Sequence, residues 1–177
     1  MNGISSYSMW WLRIQYSWYR HHGDLAYLQS QKPYLIGLLE QMVQCIGSDN
    51  SEKLTGGRFL DWPTSQDTKA IHAGLQSLLI LSLEAGDELC GVLKEPKMQE
   101  KCRDAVVRLR KHVPDHNRSK QAAALMALAG LGDPVTLNRD VLAVDGAKRL
   151  STFYGYYVLE ARAKAGDYQG CLDAIRQ

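Results

Sequence analysis

Apolar residues recur at helical spacing along almost the whole chain, and the alternation expected of strands is confined to a short stretch at 56–62. The pattern predicts eight helices, over residues 6–22, 24–46, 65–94, 96–113, 119–131, 134–143, 151–165 and from 167 onward. Two kinds of helix alternate. The first, third, fifth and seventh are apolar nearly all round, as in Met9-Trp10-Trp11-Leu12, Leu78-Leu79-Ile80-Leu81, the run 122–131, and the run 153–159 interrupted only by Gly155. The second, fourth and eighth carry one apolar stripe. In the fourth that stripe is Met98, Cys102, Ala105, Val106 and Leu109, set against Lys97, Glu100, Lys101, Arg103, Arg108 and Arg110. A helix apolar on every side is covered on every side, whereas an amphipathic one faces water. Alternating inner and outer helices predict an all-α chain of αα-hairpins, layered as a toroid or a solenoid.

The junctions support this. Gly-Asp recurs at Gly23-Asp24, Gly132-Asp133 and Gly166-Asp167, where one helical pattern stops and the next begins. Glycine takes the left-handed conformation that closes a helix, and the aspartate carboxylate caps the following one. Links this tight join antiparallel neighbours. At a fourth copy, Gly86-Asp87, residues Leu75, Leu79, Leu83, Cys90 and Leu93 keep one helical phase, which predicts a continuous helix.

Composition narrows the function classes. The 177 residues suit one domain or part of a larger one, and 45% hydrophobic with 23% charged residues is the composition of a folded chain. A net charge of +2 with both signs interspersed gives no footprint for nucleic acid. No apolar run is long enough to span a membrane, and no charged region leads into an apolar leader. Cys45, Cys90, Cys102 and Cys171 are scattered without metal-ligand spacing, so they read as apolar core thiols. Nothing in the sequence calls for a metal or another cofactor.

The aromatic residues are distributed unevenly. Of 15, eight lie between Tyr7 and Tyr34, two are Phe59 and Trp62, and five lie between Phe153 and Tyr168. Tyr7, Trp10 and Trp11 begin the first inner helix, Phe59 and Trp62 precede the third, and Phe153 and Tyr154 open the seventh. If all inner helices start at one end, these clusters share a rim. His116, Asn117 and Arg118 would join them there. Rims of rigid scaffolds are where function is commonly carried. The stretch Gly56-Gly57-Arg58-Phe59-Leu60-Asp61-Trp62-Pro63 is the most informative, a long connection in a chain of short ones. It sets a cation, an anion and a stacking plane side by side. Such a plane can stack on the C–H face of a sugar while a carboxylate accepts its hydroxyls. The structural alternative is that Asp61 pairs with Arg58 while Trp62 plugs the core.

Four ordered motifs carry a resemblance. Tyr7-Ser8-Met9-Trp10-Trp11, Tyr19-Arg20-His21-His22-Gly23-Asp24, Phe59-Leu60-Asp61-Trp62-Pro63 and Phe153-Tyr154-Gly155-Tyr156-Tyr157-Val158-Leu159-Glu160-Ala161 together resemble the catalytic domain of the bacterial α-L-rhamnosidases. These are inverting glycoside hydrolases built on a six-hairpin α/α barrel. The resemblance covers the whole chain, at about the central and later part of that barrel, so residues 1–177 are expected to form one partial domain. It implies a rhamnose-containing glycoside or polysaccharide as ligand, with Asp61 and Trp62 on the sugar and Arg58, Tyr7, Trp10, Trp11 and Tyr154 around it. A periplasmic or extracellular parent would also follow. Ser6 stands where the family commonly has an acidic residue. The family's general acid and base lie upstream and downstream of the matched region, and an inverting mechanism needs two carboxyl groups roughly 6.5–9.5 Å apart. No convincing pair stands here, since Glu40, Glu84 and Glu160 lie inside helices. The chain therefore reads as a piece of an enzyme without its catalytic carboxylates, whose exposed barrel edges would favour self-association.

Two other readings compete. Gly132-Asp133 and Gly166-Asp167 are 34 residues apart, the period of tetratricopeptide interaction modules. The other Gly-Asp spacings, 63 and 46, break that period. A lyase or isomerase on an α/α scaffold would want a rim base, for which Tyr154 or His116 could serve.

Overall fold

A computed structural model describes all 177 residues, and the chain is all-α. Its helices are α1 (Ser5–His22), α2 (Leu25–Gln44), α3 (Thr68–Val92), α4 (Pro96–Leu109), α5 (Lys120–Ala129), α6 (Pro134–Leu137), α7 (Thr152–Lys164) and α8 (Tyr168–Ile175). A 3₁₀ turn spans Trp62–Thr64, and α6 runs on into a π-helical turn over Asn138–Leu142. No sheet forms. The stretch read as a possible strand makes one isolated bridge instead, Ile4 with Gly57.

The helix ends follow the expected chemistry with one exception. Gly23 closes α1 at φ 64° and Asp24 caps α2 by accepting from the Tyr27 amide at 2.9 Å. Gly166 is left-handed at φ 83°, and Asp167 accepts from the Gly170 amide at 3.0 Å. Asp133 likewise accepts from the Thr136 amide at 2.8 Å. The left-handed residue that ends α5, however, is Gly130 and not Gly132. Gly132 serves packing instead, since a Cβ there would lie 2.8 Å from the Leu137 side chain. Gly86 sits inside a continuous α3, as its unbroken apolar phase implies.

Two compact units make up the chain. The first holds Met1–Arg58 and Leu78–His112, the second Phe59–Ser77 and Val113–Gln177. In the first, α2 packs on α1 and α4. The α4 stripe Met98, Cys102, Ala105, Val106 and Leu109 is buried residue for residue as the periodicity predicts. The Ser82 hydroxyl donates to the Met9 carbonyl at 3.2 Å and ties α3 to α1. Cys90 and Cys102 are free, buried thiols hydrogen-bonded to one another, which fits their reading as core residues, whereas Cys45 and Cys171 are only partly buried.

In the second unit α5 is buried on all sides, every residue except Leu128. It packs against α7 and α6, and α7 packs on α8. Lys164 of α7 donates to the Ala127 and Leu128 carbonyls at 3.0 and 3.2 Å, so α7 supplies donors that the end of α5 lacks. Arg162 and Asn138 both donate to the Asp167 carboxylate, at 2.7 and 3.0 Å, which fastens the α7–α8 turn to the π-helical turn. Helix α7 departs from the all-round burial that its composition suggests, as does α1 of the first unit, where Ile14 and Trp18 are exposed. Tyr154, Val158, Ala161 and Arg162 are covered, while Phe153 and Tyr156 face solvent because no element of the unit lies over them.

Candidate functional site

Within the segment 56–63, residues up to Arg58 belong to the first unit and those from Phe59 to the second. In the first unit, the Gly57 amide donates to the Gly3 carbonyl at 2.7 Å. Gly56, at φ 85°, lies so close that a Cβ would stand 2.7 Å from that oxygen. Only glycine allows this approach. Arg58 then turns to Glu52, not to Asp61. Its guanidinium donates twice to the Glu52 carboxylate, once at 3.0 Å, and once to the Leu54 carbonyl at 3.1 Å. Glu52 is buried, so the pair anchors the loop.

In the second unit Asp61 and Trp62 part company. Asp61 is 4% exposed, and one carboxylate oxygen accepts from Gln121 Nε2 at 3.0 Å. Its carbonyl accepts from both the amide and the hydroxyl of Thr64, which winds Trp62–Thr64 into its turn. Trp62, one residue on, is 79% exposed. Its ring meets Phe59 edge-on, with centroids 5.1 Å apart. The turn therefore presents an indole to solvent next in sequence to a buried carboxylate tied to α5. Pro63 and Thr64 border a cleft of about 320 Å³.

The remaining aromatic residues divide between the units. In the first, Tyr7 is half-exposed, Trp10 is buried, and Trp11 packs edge-on against Tyr34 at 4.7 Å. The Ser6 hydroxyl, at the position where an acidic residue was expected from the resemblance, is buried and without a hydrogen-bond partner. In the second, Tyr154 is fully buried and clusters with Phe153 and Tyr157, whereas Phe153 is half-exposed. His116 Nδ1 accepts from the Arg118 amide at 3.0 Å, which commits that nitrogen to the loop. Glu40 pairs with Lys101, and Glu84 with Arg110.

Two residues that shape the site are absent from the sequence-level candidates, Gln121 and Glu52. Gln121 was legible in principle. It is an amide at the head of an otherwise Ala-rich helix, and buried polar groups are there to be hydrogen-bonded. Its Nε2 also donates to the Arg149 carbonyl at 2.8 Å. Glu52 gives no such signal, because it lies in a polar connection where charges are ordinary. No set of His, Cys, Asp or Glu side chains converges as metal ligands do. No helix is long and apolar enough to cross a membrane. No protein-family model matches this chain, and no curated protein does either.

Proposed function

We propose that the chain is part of a glycoside hydrolase of the α-L-rhamnosidase kind, on a six-hairpin α/α barrel, and that it supplies sugar-binding surface while the acid and base come from outside it. The observation that supports this best is the pairing of an almost fully exposed Trp62 with an anchored turn. Exposing a tryptophan to this degree forgoes the burial that makes it useful in a core, and Phe59 packs edge-on against the ring. A plate of this kind suits the apolar face of a deoxy sugar. The neighbouring Asp61 carboxylate accepts from Gln121 through one oxygen, and on this reading its other oxygen would accept a ligand hydroxyl.

The test is binding of L-rhamnose to the 177-residue chain, read by saturation-transfer NMR. Rhamnose contacts should map to an indole, and Trp62→Ala should weaken binding about five- to tenfold, roughly 1–1.4 kcal/mol, without lowering the melting temperature. The chain alone should leave an aryl α-L-rhamnoside intact. Rhamnose that does not bind, or that binds Trp62→Ala equally well, removes the sugar-site reading. Hydrolysis by the chain alone removes the assignment of acid and base to elsewhere.

A further inference from the structure

The cleft bordered by Pro63 and Thr64 is walled by more cation than a neutral sugar has use for. Arg118, Lys120, Lys148 and Arg149 all line it, from the start of α5 and from the loop before α7. Three carboxylates share the walls against these four cations, and two of them already accept hydrogen bonds from other groups. Both oxygens of Asp140 accept from Arg139, and Asp67 accepts from Asn117 Nδ2 and the Ala70 amide. Asp145 is the third, and lies near Lys120 without forming an ion pair. Neither Lys148 nor Arg149 forms an ion pair, and Arg118 reaches only the Asp140 main-chain carbonyl at 3.5 Å.

Lys120 is the most telling member. It is 6% exposed, yet its ammonium is given one acceptor, the Gly146 carbonyl, while the nearest carboxylate, Asp145, makes no bond to it. An ammonium has three N–H donors, and burying it with two of them unbonded is costly. Burial accordingly pushes the Lys120 pKa down. The backbone around the cleft is strained in the same place. Asn117, Arg118, Asp145 and Arg149 are four of the six non-glycine residues with left-handed φ, at 46°, 57°, 58° and 65°. Such strain clusters where a fold holds side chains for a purpose.

We propose that this cleft binds a small oxyanion group, a carboxylate or a phosphate carried on a small molecule, and that Lys120, Lys148 and Arg149 hold it. The site is independent of the Trp62 plate, since none of its cations touches that ring and a neutral sugar would not need them. Guanidinium and ammonium donors converging in a partly dry cleft are the usual means of holding such a group.

Calorimetric titration of the chain with inorganic phosphate, D-glucuronate and D-glucose tests this. Phosphate or glucuronate should saturate one site, weaken as salt rises, and bind at least tenfold less tightly to Lys148→Gln/Arg149→Gln. Both side chains are exposed, so the melting temperature should hold. Arg118→Gln should weaken binding in the same direction. Lys97→Gln/Lys101→Gln, on α4, removes equal charge elsewhere and should change nothing. Phosphate alone binding assigns a phosphorylated ligand, and glucuronate alone a carboxylated one. Neither anion binding, glucose binding equally well, or an equal loss in the α4 control overturns the proposal.

Discussion

Glu52 illustrates what single residues decide. Its carboxylate is buried between the Leu54 amide and the Arg58 guanidinium, so the stretch from Glu52 to Arg58 is pinned within the first unit. Two N–H donors in one planar group match two carboxylate oxygens, a geometry an ammonium cannot copy. Arg58→Ala should therefore destabilise the chain by about 1–2 kcal/mol, less than a fully buried charged hydrogen bond because Arg58 is itself partly exposed. Arg58→Lys should recover only part of that. Urea denaturation of the two variants checks it, and equal stability of Ala and wild type would show that the pair does not anchor the loop. Trp62 is the opposite case. Its ring is exposed, so its removal should be felt by a ligand and not by the fold.

Among the helices, glycine shows how position outweighs propensity. Gly155 of α7 and Gly37 of α2 have nothing within 4 Å of where a Cβ would stand. Gly86 of α3 would place its Cβ 2.4 Å from a Leu39 methyl, in a region with Cys102 also at 3.4 Å. Alanine gains roughly 0.5–1 kcal/mol over glycine inside a helix, while overpacking a full core costs about 1–3 kcal/mol. Gly155→Ala and Gly37→Ala should thus raise the melting temperature, and Gly86→Ala should lower it. Thermal scans showing all three shifted the same way would mean that Leu39 moves aside freely. Pro33 makes a related point within α2. It lies on the exposed face, where water can serve the carbonyl that its missing N–H leaves behind.

At the scale of the whole molecule, net charge is small and charges of both signs are interspersed, while the second unit carries an apolar groove. Tyr156, Leu159, Tyr168, Leu172 and Ile175 line a shallow groove of about 490 Å³ between α7 and α8. No residue of α8 is buried, although the helix is strongly one-sided. Contiguous apolar surface of this kind recruits a partner or a second copy. Sedimentation velocity over rising concentration should show self-association, and Leu172→Ser/Ile175→Ser should abolish it. A monomer at every concentration that also fails to bind a hydrophobic dye would contradict this.

Periodicity alone was enough to specify the helices, the α4 stripe and the burial of α5, because a face either repeats every 3.6 residues or does not. Two of the three Gly-Asp links were equally legible, since left-handed closure and side-chain capping are local events. What local pattern could not decide was choice among distant partners. Arg58 had Asp61 three residues away, yet its geometry is satisfied by Glu52. Asp61 found Gln121, sixty residues on, and Gly132 ceded its closing role to Gly130 because Leu137 needed the space. The cation-lined cleft was invisible for the same reason. Arg118, Lys120, Lys148 and Arg149 are ordinary charges along the chain, and only the packing of α5 against the loop before α7 turns them to one wall. Hydrophobic faces are written in sequence spacing, while pairings of charge are settled by which groups the tertiary packing brings within reach.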